Sequence, residues 1–387
     1  MKKTILLSNS IIHFLNDASA VAVAMIFPLL YSQHFIITKY SHIGILSNLG
    51  LFVTFLFHIL ITHLEYKYEY KHMLLFSLIG ISASLVLLTT TSSFLMFLGI
   101  YLVMRFFVSF YHPLGISWIS RSHADKGLDF AMGIQSGSGN LGVFLAFISV
   151  GYLSQRYSWK MPMVLWALVC FVFGVLAYTI MKNTTTRKTY PGKSITFSSW
   201  TQTIKQIKVF IPGFIFGGAC WGTAIYFAPS LLNHRFKIPL GKTGFYMALW
   251  IFLGTIMTYL YGLFNKKFGR WNICIAGFTG STLCLVLLGL SQSSLIALLS
   301  LFFFGTFLFL NYPALQAFVG DSVSEKNKTI AFSLAANIQM LSGSIFGLIS
   351  GFLSDYFGIN TPFLLIAVLG VPVSLYYLIL KKKQSLF

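Results

Sequence analysis

Apolar residues in this chain fall into twelve runs of about twenty, at 9–32, 42–63, 72–91, 94–118, 130–153, 161–181, 208–232, 241–264, 271–290, 293–318, 328–352 and 361–380. A bilayer core about 30 Å thick is crossed by about 20 helical residues at 1.5 Å each. The pattern therefore predicts an all-α, polytopic membrane protein with twelve transmembrane helices. One long hydrophilic stretch, 182–207, contains Asn183-Thr184-Thr185-Thr186-Arg187-Lys188 and Pro191-Gly192-Lys193. It reads as a linker between a six-helix bundle at 1–181 and a second at 208–387. Lys2 and Lys3 ahead of an apolar run have the form of a signal peptide. His13, Asn16 and Asp17 interrupt that run, so it is assigned as the first helix.

Charge adds an orientation. With the N-terminus in the cytoplasm and sides alternating, cytoplasmic segments hold twenty Lys and Arg and the opposite loops six; Arg105, inside a helix, completes the 27. That asymmetry predicts both termini in the cytoplasm and an even number of helices, hence a multi-pass protein of the inner (plasma) membrane. Only 9% of residues are charged and 56% are hydrophobic, against about 25% charged in soluble domains. The net charge of +19 is spread over short loops, so it points to anionic lipid rather than nucleic acid. Cys170, Cys220, Cys274 and Cys284 lie in apolar runs without paired spacing, which predicts neither disulfides nor a metal site. There is no nucleotide-binding Gly-Lys-Ser/Thr loop and no nucleophile elbow, so no cofactor and no enzymatic activity are expected.

The two halves repeat. At an offset of 200, Gly44 matches Gly244, Pro113 matches Pro313, Gly151-Tyr152-Leu153-Ser154 matches Gly351-Phe352-Leu353-Ser354, and Pro162 matches Pro362; Pro28 matches Pro229 at 201. Six helices repeated in one orientation are the parallel repeat of major facilitator transporters. The chain resembles that superfamily also at Gly262-Leu263-Phe264-Asn265-Lys266-Lys267-Phe268-Gly269-Arg270, a relic of its loop motif with Lys266 at the acidic position. Over residues 13–142, His13-Phe14-Leu15-Asn16-Asp17, Ile43-Gly44, Tyr111-His112-Pro113 and Gly139-Asn140-Leu141-Gly142 resemble the fosmidomycin-resistance branch of proton-driven efflux proteins. Two departures weigh against export: Leu114 where that branch carries an acidic residue, and Ala146-Phe147 in place of the antiporter Gly-Pro. The resemblance implies helices 1, 4, 7 and 10 around a cavity, and that one copy suffices.

The candidate chemistry is sparse. Of eight acidic residues, Asp17 alone sits well inside a helix, and Arg105 is the corresponding basic residue. A charge at the bilayer centre costs about 3 kcal/mol or more, so both should face protein or water. At 1.5 Å per residue, Asp17 lies about 12 Å deep, His112 about 9 Å and Arg105 about 20 Å. His13 and Asp17, four apart, share a helix face. These residues suggest a proton-binding carboxylate at Asp17, tuned by His13 and His112, with Arg105 stabilising its charged form or meeting an anionic substrate. The opposing reading is a fixed polar cluster that pins two helices together. His58 reads as one satisfied interhelical bond. Asn16, Gln135, Asn140, Trp221, Tyr226, Asn311, Tyr312 and Gln316 are candidates for substrate binding or, alternatively, for helix–helix glue. Gly133, Gly137, Gly139 and Gly142 read as packing positions, and Pro28, Pro113, Pro229 and Pro313 as helix breaks.

The expectation is a secondary active transporter of a small molecule, working by alternating access and coupled to protons. Efflux is favoured by the resemblance; the alternative is uptake of a nutrient or a metal-chelating metabolite. A non-transporting membrane sensor is the competing class.

Overall fold

The computed structural model describes residues 2–64, 68–123, 128–184, 197–324 and 328–384. Among them, twelve helices are long and apolar enough to cross a membrane. They are α1 (Lys2–Ser32), α2 (Tyr40–Thr62), α3 (Tyr70–Leu88), α4 (Phe94–Ser122), α5 (Phe130–Arg156) and α6 (Lys160–Met181), then α7 (Trp200–Arg235), α8 (Leu240–Phe268), α9 (Arg270–Leu290), α10 (Ser294–Ser322), α11 (Ile330–Phe357) and α12 (Thr361–Lys383). No strand occurs among the described residues.

Several helices outrun their apolar cores. α1 begins at Lys2 rather than 9: Ile5 and the polar Ser8 and Asn9 are buried within the protein, and the helix runs unbroken through them. Of the stretch read as linker, residues 185–196 lie outside the described residues, and Phe197–Ile207 is helical, followed by a 3₁₀ turn at Lys208–Phe210.

The chain divides into two compact units: residues Met1–His42, Leu49–Pro191 and Lys237–Ala248 in one, and Ile43–Asn48, Gly192–Phe236 and Leu249–Phe387 in the other. In the first unit, α1 packs on α5 and α6, and α3 on α4 and α6. In the second, α7 packs on α11 and α12, and α9 on α10 and α12. The pairings are the same after a shift of six helices, as the sequence repeat predicts. Backbones meet closely at both equivalent crossings. A Cβ on Gly142 of α5 would collide with the Phe14 carbonyl of α1, and one on Gly218 of α7 with the Gln339 carbonyl of α11. The most enclosed spans are the repeat-related α1 and α7, whose most apolar windows are 78% and 67% buried, against 28% for α8. Outward positions are apolar too: Leu95 is 76% exposed and Val368 71%. Water would not tolerate such a surface, and lipid does.

The prolines act differently from one another. α1 is interrupted at Ile26 ahead of Pro28, α4 at Ser109–Phe110 ahead of Pro113, and α7 passes into a π-turn at Leu231–Arg235 just after Pro229. α10 runs unbroken through Pro313, against expectation. Pro313 has no N–H to offer the Phe309 carbonyl. Thr258 Oγ1 of α8 lies 3.3 Å from that carbonyl and 3.2 Å from its own Gly254 carbonyl. A hydroxyl supplied by a neighbour thus replaces the lost donor and keeps the helix whole. Thr258→Val, which keeps the shape and removes the hydroxyl, should lower stability by about 1 kcal/mol, read as a lower midpoint in thermal unfolding of the purified protein.

The loop-motif relic has a structural use. Gly269, at φ +77°, ends α8 and turns the chain into α9, a backbone region that favours glycine. The next residue, Arg270, bonds Asp321 Oδ2 at 2.5 Å near the end of α10. Asp321 is 72% exposed, so the pair adds at most about 1 kcal/mol.

Candidate functional site

The first unit brings His13 and His112 together around Asp17. On α1, His13 and Asp17 lie one turn apart, and His13 Nε2 is 3.0 Å from Asp17 Oδ2. From α4, His112 Nε2 reaches Asp17 Oδ1 at 3.4 Å. Asn16 Nδ2 donates to the same Oδ1 at 3.1 Å. The donor atoms of His13, Asp17 and His112 all lie within 4.8 Å of one another, close enough for one small cation to touch all three. The side chains are 8%, 23% and 33% exposed, so the carboxylate is sheltered but reachable.

The surroundings set the orientation of His13. Its Nδ1 donates to the Gln135 backbone carbonyl of α5 at 2.7 Å. A carbonyl can only accept, so Nδ1 carries the hydrogen and Nε2 faces the carboxylate either bare or protonated. Tyr111 stacks on the His13 ring, with centroids 4.5 Å apart and planes 18° apart. Gln135 Nε2 donates to the Tyr111 hydroxyl at 2.8 Å, which fixes the stacking ring in turn. A bare Nε2 beside an ionised carboxylate would set lone pair against lone pair. The site is therefore unfavourable without a cation in it, and one proton placed on either partner relieves it.

Gly139 of α5 makes the space. A Cβ there would stand 2.6 Å from His13 Cε1 and Nε2 and 2.9 Å from Asp17 Oδ2. Gly139, expected only as a packing position, shapes the site itself, and Tyr111 joins it unexpectedly through its stacking on His13. Both lie inside short motifs singled out for their resemblance, which was the available signal.

Arg105 does not join the triad. Its Nε donates to Thr54 Oγ1 at 3.0 Å and the Gly50 carbonyl at 3.2 Å, both on α2. His58, one turn further along α2, places its ring 5.8 Å from that of His112. It is buried, and its Nε2 has no hydrogen-bond partner among the described residues, so the expected interhelical bond is not made. Gln135 is 2% exposed; its side-chain nitrogen donates to Tyr111 and its backbone carbonyl accepts from His13, so it holds both rings in place. Asn140 is half-buried on α5.

The remaining candidates lie in the second unit. Trp221, 36% exposed, sits 5.6 Å from the rings of both Trp250 and Phe309. Tyr226 is buried, Tyr312 is 45% exposed and Gln316 is half-buried. Asn311 is consumed by packing. With its amide turned to suit its neighbours, its nitrogen donates to the Cys274 carbonyl at 3.2 Å and its oxygen accepts from Phe278 N at 3.1 Å. It fills the notch that Gly277 leaves in α9. The four cysteines are free and buried.

A helical membrane protein with paired packing in two units and, among the described residues, one interior carboxylate held by imidazoles has the architecture of a secondary transporter. The chain belongs to the Major Facilitator Superfamily, whose family model matches residues 10–347. No curated protein sequence matches it. Among solved structures it is similar to a bacterial homologue of the human lysosomal transporter Spinster in an inward-facing, unoccupied conformation, with a TM-score of 0.83 at 14% identity over 97% of this chain and 96% of that one. It is also similar to the nucleoside transporter NupG, with a TM-score of 0.76 at 15% identity over 98% and 99%. A third likeness is to a POT family transporter in complex with 5-aminolevulinic acid, at 0.79 and 12% over 98% and 96%. At these identities the likeness is one of fold. The protein is a multi-pass membrane transporter of a small molecule, not an enzyme.

Proposed function

We propose that the chain moves a small polar or amphipathic molecule across the inner membrane by alternating access, driven by protons that bind at His13, Asp17 and His112. The observation that carries this reading is the tautomer of His13: its Nδ1 hydrogen is committed to Gln135, so the space between Nε2 and Asp17 needs a cation. A transporter that exposes this pair first to one side and then to the other carries that cation across. The groups facing it from neighbouring helices are Tyr111, His112, Gln135 and, behind His112, His58. Export is the favoured direction, supported by the His13-to-Asp17 and Tyr111-His112-Pro113 signatures. Both termini lie in the cytoplasm in this reading, and a single copy is the working unit.

Everted membrane vesicles test direction and coupling together, after a thermal-shift screen of metabolites has supplied a ligand. Export predicts that acidifying the lumen drives uptake of that ligand, and that a protonophore abolishes it. Uptake unaffected by the protonophore would end the proton reading; accumulation only in right-side-out vesicles would reverse the direction.

A further inference from the structure

Arg105 is the interior charge that the Asp17 cluster leaves unused. The residue is 5% exposed. Its guanidinium donates through Nε to Thr54 and Gly50, and among the described residues neither terminal nitrogen has an acceptor. No described carboxylate pairs with it: Asp17 is taken by His13, His112 and Asn16, and Asp321 by Arg270. A buried cation without a counter-ion is strongly disfavoured, so its retention asks for an anion that arrives from outside the protein. A second buried group nearby also lacks a partner, namely His58 Nε2, one turn beyond Thr54 on α2. The His58 ring lies 5.8 Å from that of His112, edge to face. Arg105 and His112 stand seven residues apart on α4, and His112 is 33% exposed, which gives the cluster an open end.

We propose that Arg105 and His58 form a subsite for a small oxyanion, a carboxylate or a phosphate group, borne by the transported compound. The planar guanidinium would present its two free terminal nitrogens in the fork that matches such a group, and His58 Nε2 would supply a third donor. Thr54 and Gly50 hold the fork still by engaging Nε. The assignment rests on the transport reading and names the chemical class of its cargo.

The test uses the purified full chain and thermal unfolding in acetate or inorganic phosphate against chloride at equal ionic strength. At least one oxyanion should raise the midpoint of the wild type. Arg105→Gln should remove the response, and His58→Gln should weaken the apparent affinity about tenfold. Should Arg105→Gln not fold, Arg105→Lys keeps the charge without the fork and should bind about tenfold more weakly. The assignment is overturned if neither anion stabilises the wild type, or if the Arg105 variants respond as the wild type does. Asp17→Asn separates the two claims. Loss of gradient-driven transport in that variant, with no oxyanion response in the wild type, would leave proton coupling standing and remove the subsite. An oxyanion response alongside fully coupled Asp17→Asn would do the reverse.

Discussion

Asp17→Asn should abolish uphill transport while leaving downhill exchange. The asparagine keeps the size of the side chain and its place beside His13, His112 and Asn16, but it cannot take up and release a proton. One proton crossing 100 mV supplies about 2.3 kcal/mol. At about 1.4 kcal/mol per factor of ten, that drives accumulation of about 50-fold. In proteoliposomes under an imposed potential and pH gradient, the ratio of internal to external substrate should fall from that order to about one in the variant. Counterflow between substrate-loaded vesicles and labelled external substrate, which needs no gradient, should continue. Accumulation at the wild-type level by Asp17→Asn would sink the coupling scheme, and loss of counterflow as well would recast the cluster as a structural pin.

Gly139→Ala is the second large effect. Its new methyl would stand 2.6 Å from the His13 ring and 2.9 Å from the Asp17 carboxylate. Neither can simply retreat: His13 is held by Gln135 on one side and stacked by Tyr111 on the other. Overpacking of this kind costs about 1–3 kcal/mol, and a 1 Å displacement of reacting groups can reduce a rate about 100-fold. Transport in liposomes should drop by about that factor, with a lower unfolding midpoint. Gly133→Ala on the same helix is the control, because a Cβ there meets nothing within 4 Å. It should fall within about 0.5 kcal/mol of the wild type and transport normally. Equal behaviour of the two variants would remove the steric account.

Much of this architecture is legible in the sequence because lipid imposes one rule on every helix. Apolar length marks the span, and the ends of α3, α6, α9 and α12 were located to within about three residues, an uncertainty usual for helix boundaries. The rule fails where a helix extends into protein rather than lipid. The start of α1 is buried against its own unit, and the helix at Phe197–Ile207 is too polar to register as a span. It fails also at Pro313, where continuity depends on a hydroxyl from a distant part of the chain. Asp17 stood out by elimination, since depth alone makes a carboxylate costly. Its surroundings were less legible. Depth placed His112 level with Asp17 and set Arg105 apart, yet no spacing rule could show that Arg105 turns to α2, or that Gln135 acts through its backbone carbonyl as well as its amide. Asn311 looked like a ligand because a buried amide must bond to something. Which partner it finds was decided by the missing side chain of Gly277.

The interruption of α4 at Ser109–Phe110 falls between Arg105 and His112. A continuous rod would oblige the two residues to swing together about a single axis. As two segments joined at Ser109–Phe110, where turn bonds replace part of the regular ladder, they have separate anchors: the guanidinium is tethered to α2 and the imidazole lies against Asp17 of α1. Under the proposed function, cargo and driving ion would then load in separate strokes, with the joint in α4 setting how tightly one follows the other.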